Sequence, residues 1–205
     1  MSRGERLLQE KYGTGKRAAS FYRNQMLNFL NQQMRSFIAE QTMMFIATAD
    51  ANGNCDSSFR AGLPGFAVVL DEYTLMYPEY RGNGVMASLG NISENPHIGI
   101  MFIDFIEQQI GLHVNGQASI VEHDDLQLLK NITSSLLEEI EEREGNKPER
   151  WVQVKVEEAY IHCSKHIPKL KPVEKMMDWG TDDEKKKGGD FFHAKREQVK
   201  KARKV

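Results

Sequence analysis

Two cysteines in 205 residues, Cys55 and Cys163, are too few and too far apart for a disulfide framework, and neither belongs to a Cys-x-x-Cys pair of the kind that holds zinc. No metal site is expected. No stretch approaches the roughly 18 apolar residues that cross a bilayer, and the opening MSRGERLLQEKYGTGKR has no apolar segment of the secretory kind. A soluble, cytoplasmic chain without a membrane partner is the expectation. Basic excess is also missing. With 27 Lys and Arg against 29 Asp and Glu, the net charge of -2 gives no global attraction to nucleic acid. Internal repeats are absent as well. A chain of this length that is 40% hydrophobic buries one sizeable core, so one domain is expected, with an extension over residues 1–17 and a charged tail over 180–205 around a body at 18–179.

The body reads as strands framed by helices. From about Arg17 to Gln41, Phe21, Met26, Phe29, Leu30, Met34, Phe37 and Ile38 recur at three- and four-residue steps, which predicts an amphipathic helix. The β-prone run Met43–Ala49 then meets the turn cluster Asp50–Asn54, with Asn-Gly inside it, and predicts a hairpin. Phe66–Leu70 and Thr74–Tyr77, joined by Asp71-Glu72-Tyr73, add two strands and with the first pair suggest an antiparallel meander. Between Val85 and Asn95, Met86, Leu89 and Ile92 predict a short helix that Pro96 ends.

Strands resume at His97–Asp104 and at Gln109–Val121, the longest of the set, where Gly111 and Gly116 permit bulges. Five or six strands are then in hand. Asp124 and Asp125 start a helix whose apolar face is Leu126, Leu129, Ile132, Leu136, Leu137 and Ile140, with Gly145 and Pro148 stopping it. A last strand alternates from Trp151 to Ile161. From Gly180 the composition is charged and Gly-interrupted, which predicts a mobile tail or weakly docked helix that ligand binding does not need.

The order helix, hairpin, two strands, short helix, two strands, helix, strand is similar to the split barrel of the pyridoxamine 5'-phosphate oxidase-like proteins. The motifs sharpen the match. Asp56-Ser57-Ser58-Phe59-Arg60-Ala61-Gly62-Leu63-Pro64-Gly65-Phe66 resembles the S-x-R-G-x-P-G-F signature of a flavin-nucleotide-binding subgroup. Tyr77-Pro78-Glu79 with Gly82-Asn83, Ser88–Ile92 with Asn95-Pro96, Leu112–Ala118, and His162-Cys163-Ser164-Lys165 follow in that subgroup's order. The resemblance covers roughly residues 20 to 170 and implies an α+β fold, mainly β with flanking helices: an antiparallel FMN-binding split β-barrel that dimerises with FMN at the subunit interface.

FMN carries a dianionic phosphate, so its site needs cations or clustered N–H donors. Arg60, leaving a strand just before a Gly-rich turn, corresponds to the family's phosphate-binding arginine. Gly62 and Gly65 serve the turn and also admit a close approach of backbone amides to a phosphate or ring, with Phe66 closing the same signature. Arg81, Asn83 and Ser88 form a second group, on a loop leading into a helix N-terminus. The family enzymes carry a loop resembling S-R-K-G there, whereas this chain reads Arg81-Gly82-Asn83-Gly84, with fewer charges. His113 stands where many subgroup members carry an arginine. His162 and Lys165 resemble the family's H-C-x-K and are expected to approach the partner's flavin, where a lysine stabilises reduced anionic flavin. Cys163 reads as packing.

A flavin site does not fix a reaction. The resemblance implies an FMN-dependent oxidoreductase acting on an unidentified small molecule by hydride transfer at flavin N5, with NAD(P)H or that molecule as partner and the catalytic residues unassigned. A non-catalytic flavin, haem or deazaflavin module is the alternative. Pyridoxamine 5'-phosphate oxidase itself is disfavoured, because the R-x-H substrate motif has no counterpart in Lys169–Lys175.

Overall fold

Side chains that alternate apolar and polar with a period of two place one row on each face of a strand. In the computed structural model these stretches assemble into one eight-stranded antiparallel sheet with flanking helices. The structure describes residues 2–178, 181, 183, 186 and 188–202. Two helices, α1 (Arg3–Lys11) and α2 (Gly15–Gln25), lead to a two-residue strand β1 (Met26–Leu27) and to α3 (Gln32–Glu40). Then follow β2 (Met43–Ala49), β3 (Cys55–Ala61), β4 (Val68–Asp71), β5 (Thr74–Tyr80), α4 (Ala87–Glu94), β6 (His97–Ile103), β7 (Gly111–Glu122), α5 (Ser134–Glu144), β8 (Pro148–His162) and α6 (Ala194–Ala202). The strand order is β3-β2-β6-β7-β8-β5-β4, with β1 paired to β8. The expected α+β split-barrel class is the one found.

Four local expectations are corrected, and the N-terminal extension, for which no element was predicted, holds a helix. The single helix over Arg17–Gln41 is two helices, because Met26 and Leu27 pair with Tyr160 and Ala159 and the Asn31 side chain accepts the Met34 amide to start α3 afresh. Asp124 and Asp125 open a 3-10 turn, His123–Leu128, while the helix proper starts later, where Thr133 caps the Leu136 amide. Pro148 begins β8 rather than merely ending a helix, and β8, at 15 residues, exceeds β7 at 12 as the longest strand. The N-terminal extension contains a helix, α1, closed by a capping box between Ser2 and Glu5. Last, the two hairpins do not form a continuous meander. β2–β3 and β4–β5 lie towards opposite ends of the sheet, with β6, β7 and β8 between them.

That separation is made by the turn after β3. Gly62 packs so tightly on Phe66 that an added Cβ would lie 2.4 Å from the Phe66 Cβ, and Gly65 takes a positive φ of 81°. Phe66 is thereby driven into the core. The tail expectation falls partly on positions 179, 180, 182, 184, 185, 187 and 203–205, which lie outside the described residues. Among the described ones, Phe191 and Phe192 are exposed before α6.

Two apolar clusters use the two faces of the sheet. Leu30, Ile38, Met44, Ile46, Phe66, Leu75, Tyr77, Ile100, Phe102, Val114, Val152 and Val154 belong to the larger one. Trp151, Met76, Val68, Leu126 and Ile140 form the second, with Leu136 and Leu137 of α5 against it. β5 and the start of β8 contribute to both, so Leu75 through Glu79 are buried on consecutive positions. Trp151 donates its indole N–H to His123 Nδ1 at 3.1 Å, which satisfies the one polar atom of a fully buried ring.

β7 and β8 slip register between Asn115 and Gly116. At Gly116 an added Cβ would stand 2.0 Å from the Lys155 carbonyl oxygen, a backbone atom that cannot rotate away. Gly116→Ala is therefore expected to destabilise the fold by about 1–3 kcal/mol, the usual range for forced overpacking. Denaturant unfolding of the variant measures this, and an unchanged midpoint would refute the close approach.

Candidate functional site

Ser58 and Arg60 share one face of β3, as Tyr77 and Glu79 share one face of β5, because alternate residues of a strand point the same way. Arg60 Nε donates to Glu79 Oε1 at 2.8 Å, and its Nη1 donates to Ser58 Oγ at 2.6 Å and to the Phe59 carbonyl at 3.0 Å. Both side chains are largely shielded, 17% and 12% exposed. β3 and β5 are not neighbours in the sheet, so this ion pair spans two strands that no ladder joins. Tyr77 is fully buried nearby, and its hydroxyl has no hydrogen-bond partner among the described residues. Burial, and secondarily the charge of Glu79, raise the Tyr77 phenol well above its ordinary pKa, so it stays a neutral donor.

Arg60 and Glu79 stand in the wall of a cleft of 810 Å³. The loop after β5 supplies Arg81, Gly82, Asn83, Gly84, Val85 and Met86, and α4 supplies Ala87, Ser88 and Leu89. Gly84 and Met86 both have positive φ, 80° and 56°, and this tight path brings the loop into the first turn of α4. Asn83 Oδ1 accepts the Val85 amide at 3.0 Å and holds the loop. No side chain caps α4. Its first-turn amides therefore remain the kind of unsatisfied donors that bind anions. Ser88 is buried and donates to Asp56 Oδ2 at 3.3 Å.

Four residues singled out in the sequence, Arg60, Arg81, Asn83 and Ser88, thus converge on one cleft from two separate stretches of chain. The other five lie outside its lining. Gly62, Gly65 and Phe66 shape the turn and plug the core, as described above. His162 ends β8, and its Nδ1 is 2.9 Å from His113 Nε2, so one ring donates and the other accepts. His113 also stacks on Tyr160, centroids 4.7 Å apart. Burial, then the neighbouring His162, hold the His113 pKa below the ordinary histidine value. Lys165 is exposed on the short turn Ser164–His166.

Sequence reasoning passed over four cleft residues. Glu79 appeared only as part of the Tyr77-Pro78-Glu79 motif, and its role as the partner of Arg60 depends on strand placement. Asp56 has the same status beside Ser88. Tyr80 lines the cleft and donates to the buried Glu144 Oε2 at 2.7 Å, tying β5 to the end of α5. Burial first, and that bond second, raise the Tyr80 pKa. Met177, in the extended C-terminal segment, also lines the cleft. No periodicity or motif marks it. The cleft's charges balance, Arg60, Arg81 and Arg150 against Asp56, Glu79 and Glu149, with Arg81 Nε 4.0 Å from Glu149.

Solved structures with related folds include HupZ of Group A Streptococcus, 22% identical over 64% of this chain and 92% of that one, with a TM-score of 0.47. HutZ, the haem storage protein of Vibrio cholerae, is 18% identical over 62% of this chain and 89% of that one, with a TM-score of 0.43. A Clostridium acetobutylicum protein related to general stress protein 26 is 13% identical over 67% and 89%, with a TM-score of 0.43. No curated protein matches the chain. The family model for pyridoxamine 5'-phosphate oxidase matches residues 30–163, which include every strand from β2 to β8 and the polar side of the cleft. A match over that span, well more than half of the sequence, establishes that the chain belongs to the pyridoxamine 5'-phosphate oxidase family.

Proposed function

We propose that this chain binds FMN in the cleft between β3 and the β5–α4 loop and serves as an FMN-dependent oxidoreductase on a small molecule. The observation that carries the reading is the convergence of Arg60, Arg81, Asn83 and Ser88 on one cleft whose 810 Å³ lies within the cofactor-sized range. The donor set fits a phosphate at one side. Arg60 Nη2 makes no hydrogen bond among the described residues, Arg81 is 59% exposed, and the uncapped first turn of α4 adds amides. Val85, Met86 and Met177, each half exposed or more, add apolar surface to the lining that suits a planar ring. Bound flavin would supply hydride acceptance or donation at its N5. The chain's own residues supply binding and orientation, and Glu79 limits the net positive charge offered to the phosphate.

The reading makes opposite demands on the two members of the ion pair. Arg60→Ala should weaken FMN binding by about 1.5–3 kcal/mol, roughly ten- to a hundredfold. Glu79→Gln keeps an acceptor for Arg60 Nε and removes the competing charge, so FMN affinity should rise by about three- to tenfold. Riboflavin, lacking the phosphate, should be indifferent to both. Fluorescence titration reads all three, with the absorbance spectrum of the purified protein recorded first. Flavin bands support the reading, and a Soret band in their place would assign the chain to haem instead. Equal losses for FMN and riboflavin in both variants would remove Arg60 from phosphate binding.

Self-association as a homodimer belongs to the same proposal. Across the outer face of the sheet the register sets Phe59 beside Phe45, Phe45 beside Met101, Met101 beside His113 and His113 beside Tyr160. Phe59 is 52% exposed and the others are half-buried, so a row of large side chains without a carboxylate or ammonium crosses five strands. A second copy covering this face would bury the row and bring His162 and Lys165 towards the partner's cofactor. Sedimentation at micromolar protein should give a dimer for the native chain and a monomer for Met101→Asp. A monomeric native chain with FMN bound would overturn the dimer.

A further inference from the structure

We infer that the C-terminal segment around Met177 is part of the ligand site, an apolar wall that closes over a bound ring and slows its release. This rests on the flavin reading of the cleft. After the short turn Ser164–His166 the chain runs without regular structure to Asp178, beyond the residues of the family match. Its path is nevertheless fixed in the middle. The Leu170 amide donates to the Phe105 carbonyl at 2.7 Å, just after β6. The adjacent Lys169 faces the loop of Asp104. Burial alone would raise the Asp104 pKa, yet the amides of Gln108, Glu107 and Ile106 and the charge of Lys169 hold it below its ordinary range.

From that anchor the segment reaches the cleft, and the exposures of consecutive residues show which side chain turns inward. Val173 is 88% exposed and Met176 90%, while Met177 falls to 50% and stands in the cleft wall with Val85 and Met86. A thioether on an unbranched chain adapts to an aromatic face and makes favourable sulfur–ring contacts. A half-exposed Met in an otherwise solvated segment also retains apolar area that a ring would cover. Val85 and Met86 come from the β5–α4 loop and Arg60 from β3, so Met177 is the contribution of a third, separate part of the chain.

Met177→Asp in the full chain tests this, with Met176→Asp as a control of identical charge one position away. FMN release followed by fluorescence should be about five- to tenfold faster for Met177→Asp, as expected from losing roughly half of a buried Met side chain, and unchanged for Met176→Asp. Hydrogen exchange without ligand gives an independent readout. The amides of residues 82–86 should exchange faster in Met177→Asp alone, because the loop loses a neighbour. Equal behaviour of the two variants in both measurements would overturn the inference. Failure of the native chain to bind FMN would count against the flavin reading, and the exchange comparison would then decide whether Met177 closes the cleft.

Discussion

The ion pair of Arg60 and Glu79 joins two strands that no backbone ladder connects. β3 ends one side of the sheet and β5 lies next to the other, and the pair sits where the two ends approach. Partial burial makes it consequential. Losing either partner would leave a charge in a medium that solvates it poorly, a cost of about 3–5 kcal/mol for a fully buried pair and less at the 17% and 12% exposure seen here. The turn 62–67, which throws the chain across from β3 to β4, and Phe66, which that turn drives into the core, both serve the same junction.

The pair also sets the electrostatics of the cleft. An arginine committed through Nε and Nη1 keeps only its outer nitrogen for a ligand, and it does so next to a carboxylate. With three cations and three anions in the lining, this is no general anion trap. Recognition of a phosphate would depend on placed donors, namely one edge of a guanidinium, the exposed Arg81 and the uncapped α4 amides, rather than on bulk charge. Val85, Met86 and Met177 add exposed apolar surface to the same lining. Beside the cleft, Tyr80 and Glu144 tie β5 to α5, so the outer helix layer supports the strand that bears Glu79.

Much of the architecture was legible in the residues. β-prone runs between turn signals located β2, β6 and β7 to within about two residues, and Asn-Gly marked the first hairpin. Where the reading failed, a local signal lost to a tertiary partner. Met26 and Leu27 fit a helical spacing but pair with β8, and Asp124 and Asp125 look like a helix start although Thr133 holds the cap that the helix uses. Gly62, Gly65 and Phe66 read as a turn, and the structure adds that Phe66 is buried in the core against a Gly62 with no room for a Cβ.

By itself the sequence determined most of the strands, the α+β class, the absence of a long apolar span and the family, because each of these is written in periodicity, composition or contiguous motif. It also supplied Arg60, Arg81, Asn83 and Ser88, which lie within such motifs. Only the tertiary structure decided that the two hairpins take opposite ends of the sheet, that Arg60 meets Glu79, that His113 meets His162, and that Met177 returns to the cleft. The two side-chain pairs join residues 19 and 49 positions apart, and Met177 shares the cleft lining with residues as distant in the chain as Asp56. Their existence depends on sheet order and chain path, quantities that no local pattern of side chains encodes.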